Sequence, residues 1–386
     1  MGLNELTALN QVKASQALTM QPVHGEPSYH LATPELDLDL TARGGHLAPL
    51  VFHLPERDVS PYALAPWQPA EYPDQPPLLS ILRGDFLCLP FGGQTDGPPH
   101  GDPANAAWEL LEKSERSLTL SQNATDSGAT IQKTVSVSPG QHAVFVEHQI
   151  FNLDGNFSYG THPILDLSHL DEGQGRVTTS PFRWASVFPD SFANLEDGER
   201  QSLQIGARFN DLNSVPLASG GTTDLTRYPQ RPGNDDLVMM VNEASTEEQP
   251  FAWSAAVLDG YLWFALKNPA DFPSTLLWLS NGGRPTAPWN GRHTGRLGVE
   301  EVCSHYCHGI DISRQDLLRD QGIPTTRHFQ QTETVSLKII QGVAALPSHF
   351  RAVRSIKPLD EHSVTITDEN DLAIEVNIDW PFIASR

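Results

Sequence analysis

From residue 108 to residue 378 the chain keeps alternating apolar and polar side chains over short stretches and then breaks at Gly, Pro or Asn. A period of two puts successive side chains on opposite faces of an extended strand, whereas a helix needs a period near 3.6. Over 129–151, A-T-I-Q-K-T-V-S-V leads into S-P-G and then H-A-V-F-V-E-H-Q-I-F, which predicts a hairpin turning at Gly140. Runs of the same kind lie at 108–120, 252–266, 334–340, 363–367 and 372–378. The breaks are supplied by 29 glycines and 31 prolines. No strand-helix-strand alternation and no phosphate-cradling glycine loop is present, so the expectation is an all-β chain, one large antiparallel β-sandwich. Helix is predicted only over 3–18 and as a short turn at 314–319.

The chain has 386 residues, 39% of them hydrophobic and 19% charged, which is enough apolar material for a substantial core. No shift in composition divides it. It reads as a single domain over 1–386 with residues 1–40 as an N-terminal extension. Residues 55–77 hold seven prolines around Tyr62, Trp67 and Tyr72 and predict an ordered wrapping loop; 211–236 is a second long loop candidate. Lys and Arg number 25 against 47 Asp and Glu, a formal charge of -22. That field repels phosphate backbones and anionic lipid heads, so neither nucleic acid nor a membrane surface is an expected partner. The absence of a long apolar run, a polar N-terminus and the three cysteines Cys88, Cys303 and Cys307 predict a soluble, cytoplasmic protein without a disulfide framework.

Three segments carry candidate chemistry outside apolar stripes. P-P-H-G-D-P-A-N-A-A-W (98–108) sets His100 between Pro99 and Gly101, with a surface loop histidine as the plain alternative. T-H-P-I-L-D-L (161–167) places His162 ahead of a proline and an apolar strand, where a turn histidine is the alternative. R-L-G-V-E-E-V-C-S-H (296–305) interrupts an apolar strand with adjacent acids. Alternation sends Glu300 and Glu301 to opposite faces, so at least one points inward or into a cleft and needs a partner there. In C-S-H-Y-C-H (303–308), Cys303, His305 and Cys307 share a face if the strand continues. Metal ligation by such a cluster is the competing reading, but zinc sites usually use loop spacings such as C-x2-C, so buried thiols, a strand-end histidine and no metal are expected.

In order along the chain these segments resemble the galactose mutarotase-like superfamily, whose members include aldose 1-epimerases. G-G-H-L-A-P-L (44–50) resembles the family's opening strand, and L-R-G-D-F-L-C-L-P-F-G-G (82–93) its segment with a sugar-contacting arginine, here Arg83. His100-Gly101 resembles the first active-site histidine. The hairpin over 129–151 followed by T-H-P-I-L resembles the lead-in to the second, His162, and W-L-S-N-G-G (278–283) followed by L-G-V-E-E-V resembles the approach to the catalytic glutamate. The likeness spans about 40–345. It implies a supersandwich fold and a cleft for a monosaccharide or sugar derivative.

In that cleft His162, Glu300 and His100 would exchange anomers by acid-base catalysis with no cofactor. Glu300 would take the proton of the C1 hydroxyl and His162 supply one to the ring oxygen, with Glu301 as the rival base. Arg83 would bind sugar hydroxyls, as would Asp235 or Asp236. Ile164, Leu165 and Asp166 replace the aromatic residue and asparagine that many epimerases have after the second histidine. Trp253, Trp263, Trp278 and Trp289 are read mostly as core, with a sugar-stacking platform as their functional alternative. The competing functions are a carbohydrate-binding or regulatory protein that keeps the cleft without turnover, and another sugar isomerase or lyase on the same scaffold.

Overall fold

The computed structural model describes residues 20–384, so the helix predicted over 3–18 lies outside the described residues. Strands dominate, and every recorded strand pairing is antiparallel, as the period-two runs predict. One sheet has nine strands. Its centre runs Ala252–Val257, Tyr261–Lys267, Val335–Ala345, Ala143–Phe151, Thr130–Ser136. The hairpin turning at Gly140 forms as expected, with φ 73° at that glycine. Runs 108–120 and 252–266 each prove to be two strands; in the second, L-D-G puts Gly260 at φ 74° and turns the chain.

A second, eight-stranded sheet is built around Phe182–Val187, Asn234–Asn242, Ser274–Asn281 and Arg296–Cys303. The two sheets share one apolar core. Val144, Val146, Trp263 and Ile339 from the first meet Val238, Leu277, Leu297 and Val299 from the second. Strand Asn234–Asn242 enters what was read as the loop 211–236, so Asp235 and Asp236 stand in a sheet. That strand is buried on both faces: its run 237–241 is apolar without alternation, and the polar N-D-D before it reads as loop, which conceals its start.

Five strands from Gln21–Val23 to Arg57–Val59 form a meander in chain order, so 21–40 of the segment read as an extension is paired sheet. The proline-rich 55–77 is ordered: Tyr62 and Trp67 are buried, and the segment runs on into the short helix Pro77–Ser80 beside the cavity described below. At the other end Val353–Asp360, Ser363–Asp368 and Ala373–Asn377 form a small sheet. Its Ile356, Val364 and Ile366 cover the outer face of the nine-stranded sheet at Phe264, Leu266 and Ile340. The turn predicted at 314–319 is bracketed by Ile310–Ser313 and Arg319–Gln321. Among the described residues no helix is long and apolar enough to cross a membrane.

Candidate functional site

Strand Arg296–Cys303 organises the site by its alternation. Leu297, Val299 and Cys303 face the core between the sheets, and Glu301 lies on their side. Its carboxylate accepts hydrogen bonds from Lys267 Nζ at 2.7 Å, Ser254 Oγ at 2.8 Å and Thr275 Oγ1 at 2.6 Å. Glu300 faces the other way, into a cavity of about 280 Å³ shared with His100 and His162. The expectation that the two acids face opposite ways is met: Glu300 lines the cavity and Glu301 is held inside the sandwich.

His162 reaches Glu300 because the chain breaks step at T-H-P. Tyr159–Thr161 pairs with the end of Arg296–Cys303 and Ile164–Asp166 pairs with its start, while Pro163 between them has no N–H to give. The freed His162 puts Nε2 3.3 Å from Glu300 Oε1. Its backbone N–H donates to Asp85 Oδ1 at 2.9 Å. Asp85 in turn accepts from Gln341 Nε2 at 2.8 Å, Gln341 accepts from the Tyr62 hydroxyl, and Tyr62 accepts from Trp263 Nε1 at 3.2 Å. A buried hydrogen-bonded chain thus anchors the histidine to the nine-stranded sheet. Phe86 stacks on the imidazole at 4.7 Å, and Trp278 meets it edge-on at 5.6 Å. Among the described residues His162 Nδ1 has no hydrogen-bond partner.

Burial pushes the His162 imidazole well below its ordinary value, with His100 adding to the effect. It pushes the Glu300 carboxyl well above its own, with the Glu301 charge as the second cause. Both shifts favour uncharged forms, so the pair holds one proton between a carboxyl and an imidazole.

His100 is no surface histidine. It adopts a left-handed backbone, φ 63°, and Gly101 follows at φ 74°, where a Cβ would stand 2.1 Å from the Leu89 carbonyl oxygen. P-P-H-G therefore encodes a turn only glycine completes. His100 Nδ1 accepts from the Gly92 N–H at 3.3 Å, which leaves the proton of the neutral ring on Nε2. Burial pushes its imidazole down to about 4. The ring lies 5.2 Å from that of His162, and Asn105 clamps the turn by donating to the Pro99 and Gly101 carbonyls at 2.7 and 2.8 Å.

Two expected sugar contacts lie elsewhere. The Arg83 guanidinium donates to the carbonyls of Ile81, Val23 and His24 at 3.0, 2.9 and 3.0 Å, closing the first hairpin rather than facing the cavity. Asp235 accepts from the Asn281 and Gly283 N–H groups at 2.9 and 2.8 Å and from Ser280 Oγ at 3.0 Å, holding the N-G-G turn. Asp236 is likewise spent on Ser202 and Leu203. Asp235 also sits 3.4 Å from Nε of Arg284, which does line the cavity and which sequence reasoning missed. Its guanidinium stacks over Phe192, Trp278 and Trp289 at 5.2, 5.6 and 4.8 Å. The position of this arginine, after N-G-G and between two tryptophans, was the available signal. The tryptophans divide evenly: Trp253 and Trp263 are core, Trp278 and Trp289 wall the cavity.

The strand ends at Cys303, so Cys303, His305 and Cys307 do not share a strand face. Cys303 is buried against the Pro324 carbonyl, Cys307 lines the cavity, and His305 with His308 faces a separate hollow beside Asp190. Among the described residues no cluster of three or more His, Cys, Asp or Glu is placed to hold a metal ion.

No family model matches the sequence, and a search of curated proteins finds no match. Solved structures do match. A galactose mutarotase related enzyme from Lactobacillus acidophilus aligns with TM-score 0.54 at 12% identity, covering 83% of this chain and 98% of the other. The GalM/aldose epimerase homologue from C. elegans aligns with TM-score 0.56 at 14% identity, covering 83% and 100%. The Slr1438 protein from Synechocystis sp. PCC 6803 aligns with TM-score 0.54 at 15% identity, covering 85% and 98%. At such identities the likeness is one of fold, and it agrees with the two antiparallel sheets and shared core described above. The chain has the galactose mutarotase-like fold.

Proposed function

We propose that the chain interconverts the anomers of an aldose, with Glu300, His162 and His100 as the catalytic residues. The observation that carries this reading is the 3.3 Å approach of His162 Nε2 to Glu300 Oε1 in a cavity large enough for one sugar ring. Opening a hemiacetal needs a base at the C1 hydroxyl and an acid at the ring oxygen, two atoms bonded to the same carbon. An acid and a base side by side match that requirement. With the proton shared by the pair moved onto His162, the Glu300 carboxylate takes the hydroxyl proton and the imidazolium delivers one to the ring oxygen. The aldehyde turns about C1–C2, and the transfers run backwards on the other face. The pair ends with the proton count it began with, so the cycle requires no cofactor. His100, with Nε2–H as donor, hydrogen-bonds the ring oxygen or the neighbouring hydroxyl.

The second reading is a sugar-binding protein without turnover, and one observation favours it: burial holds Glu300 toward its protonated, non-basic form. Anomer exchange followed by NMR across a panel of aldoses separates the two. Wild type should exceed the uncatalysed rate, and His162→Ala or Glu300→Gln should remove about 10² to 10⁴ of the acceleration. Sugar binding with exchange no faster than in buffer overturns the enzymatic reading.

A further inference from the structure

The cavity around His162 and Glu300 has few groups able to read hydroxyls. Apart from that pair and His100, its polar side chains are Arg284 and Cys307, and burial pushes the Cys307 thiol up to about 12, so it stays neutral. Trp278 adds one buried indole N–H with no partner among the described residues. Much of the remaining wall is hydrocarbon: Leu78 and Leu79 of the short helix Pro77–Ser80, then Leu82, Leu237, Phe192 and Trp289. None of these six side chains has an acceptor, and only Trp289 has a donor. The cavity volume of about 280 Å³ falls just below the range of about 300 to 1,000 Å³ common for ligand pockets, which suits one ring rather than an oligosaccharide.

Charge narrows the choice further. Arg284 is the cation in the wall, and its Nε already faces the carboxylates of Asp235 at 3.4 Å and Glu199 at 3.9 Å. A phosphorylated sugar would meet a guanidinium whose charge is already balanced, beside the acidic Glu300.

We infer that the substrate is an uncharged aldose with a deoxygenated, apolar carbon remote from C1, of the 6-deoxyhexose type. This rests on the proposed anomer exchange for the orientation of the ring. With C1 held at His162 and Glu300, the far carbons of the sugar meet leucine and aromatic side chains. A methyl group there gains from burial, whereas a hydroxyl loses its water without finding a partner. An apolar pocket rejects an isostere that adds a hydroxyl by up to about a hundredfold, so the expected preference is about ten- to a hundredfold.

The test compares galactose with 6-deoxygalactose, glucose with 6-deoxyglucose, and galactose 6-phosphate. Binding is read from the fluorescence of Trp278 and Trp289, and exchange is read separately by NMR. The 6-deoxy sugars should bind and exchange about ten- to a hundredfold better than their parents, with the phosphate weakest. Leu79→Asn, at a half-buried position of the cavity wall, should narrow that ratio about tenfold. Parent hexoses handled as well as the 6-deoxy sugars, or a ratio unchanged in Leu79→Asn, overturn the inference while leaving anomer exchange standing. Preferential binding of 6-deoxy sugars without exchange overturns the catalytic reading and leaves the substrate class standing. Failure of all five sugars to bind overturns both.

Discussion

Glu300 and Glu301 are neighbours in the chain and nearly equal in burial, at 2% and 0% exposed, yet they stand in opposite regimes. Inside the sandwich, Glu301 meets three donors, one of them the fully buried ammonium of Lys267. On the cleft side, the side chain nearest the Glu300 carboxyl among the described residues is the His162 imidazole, which burial pushes toward its neutral form. A carboxylate enclosed by fixed donors has its charge and position settled by the fold. One whose neighbour can gain or lose a proton is left free to do chemistry. Burial alone therefore does not mark a functional acid; the kind of partner does.

The largest expected effect tests that division directly. Glu300→Gln should cost about 10² to 10⁴ in anomer exchange without lowering stability, because the amide resembles the protonated carboxyl that burial favours. Lys267→Met should act on stability, losing about 3 to 5 kcal/mol in chemical denaturation because Glu301 is left charged and uncompensated. The double variant Lys267→Met/Glu301→Gln should recover most of that loss, since glutamine keeps an acceptor for Ser254 and Thr275. If Lys267→Met instead removed exchange while the protein kept its stability, the two faces would not be separate regimes.

The division itself was legible. Period-two alternation along R-L-G-V-E-E-V-C is enough to part the two acids, and the order of the histidine segments points to one site. What stayed hidden depends on contacts between distant segments. Arg83 sits in a motif that resembles a sugar-contacting one, but the carbonyls of Val23 and His24 that consume it come from some 60 residues earlier. Asp85, in the same motif, emerges as a support only once His162 folds against it. The leucines of 78–82 end a proline-rich stretch whose composition predicts order but not which surface it will wall. The strand at 234–242 opens on three polar residues and is apolar on both faces only over 237–241, so it carries no period to read.

A second contrast, between two histidines, has a smaller effect. His148 lies between the sheets with both ring nitrogens unpartnered among the described residues, and burial together with the nearby Lys133 ammonium pushes its imidazole well below the ordinary value. The unfolded chain, with a value near 6.5, therefore binds the extra proton as pH falls, and stability present above about pH 6.5 is lost below it. Between pH 7.5 and 5 this one residue accounts for at most about 2 kcal/mol. Denaturant melts should show wild type losing more than His148→Leu over that interval. His162 contributes the same slope, but Glu300 beside it opposes it, because a carboxyl raised in the folded state binds its proton there and adds stability as pH falls. His162→Ala should therefore alter the pH dependence in the same direction as His148→Leu, and Glu300→Gln in the opposite one. Equal slopes in all three variants would break the contrast.

The smallest expected effect concerns the floor beneath Glu300. Gly298 stands two residues before it on the same face of the strand, opposite Trp278 on one neighbour and Ile164 on the other. Its backbone needs no left-handed conformation, so conformational freedom does not explain a glycine there. Space does: a Cβ on Gly298 would lie 2.5 Å from Glu300 Oε1 and 3.0 Å from the Trp278 Cβ. The carboxylate, as the end of a flexible side chain, is the partner able to yield, and yielding carries it away from His162. Gly298→Ala should then lower exchange about tenfold while changing stability by less than about 1 kcal/mol, since a strand gains roughly 0.5 to 1 kcal/mol from losing a glycine. The signature is a fall in kcat larger than any change in the binding of the sugar, because Trp278, the wall residue that the new methyl touches, has to give by only a few tenths of an ångström. Full activity in Gly298→Ala would mean that the placement of Glu300 against His162 tolerates displacement, and the 3.3 Å approach would lose its claim to be the reacting geometry.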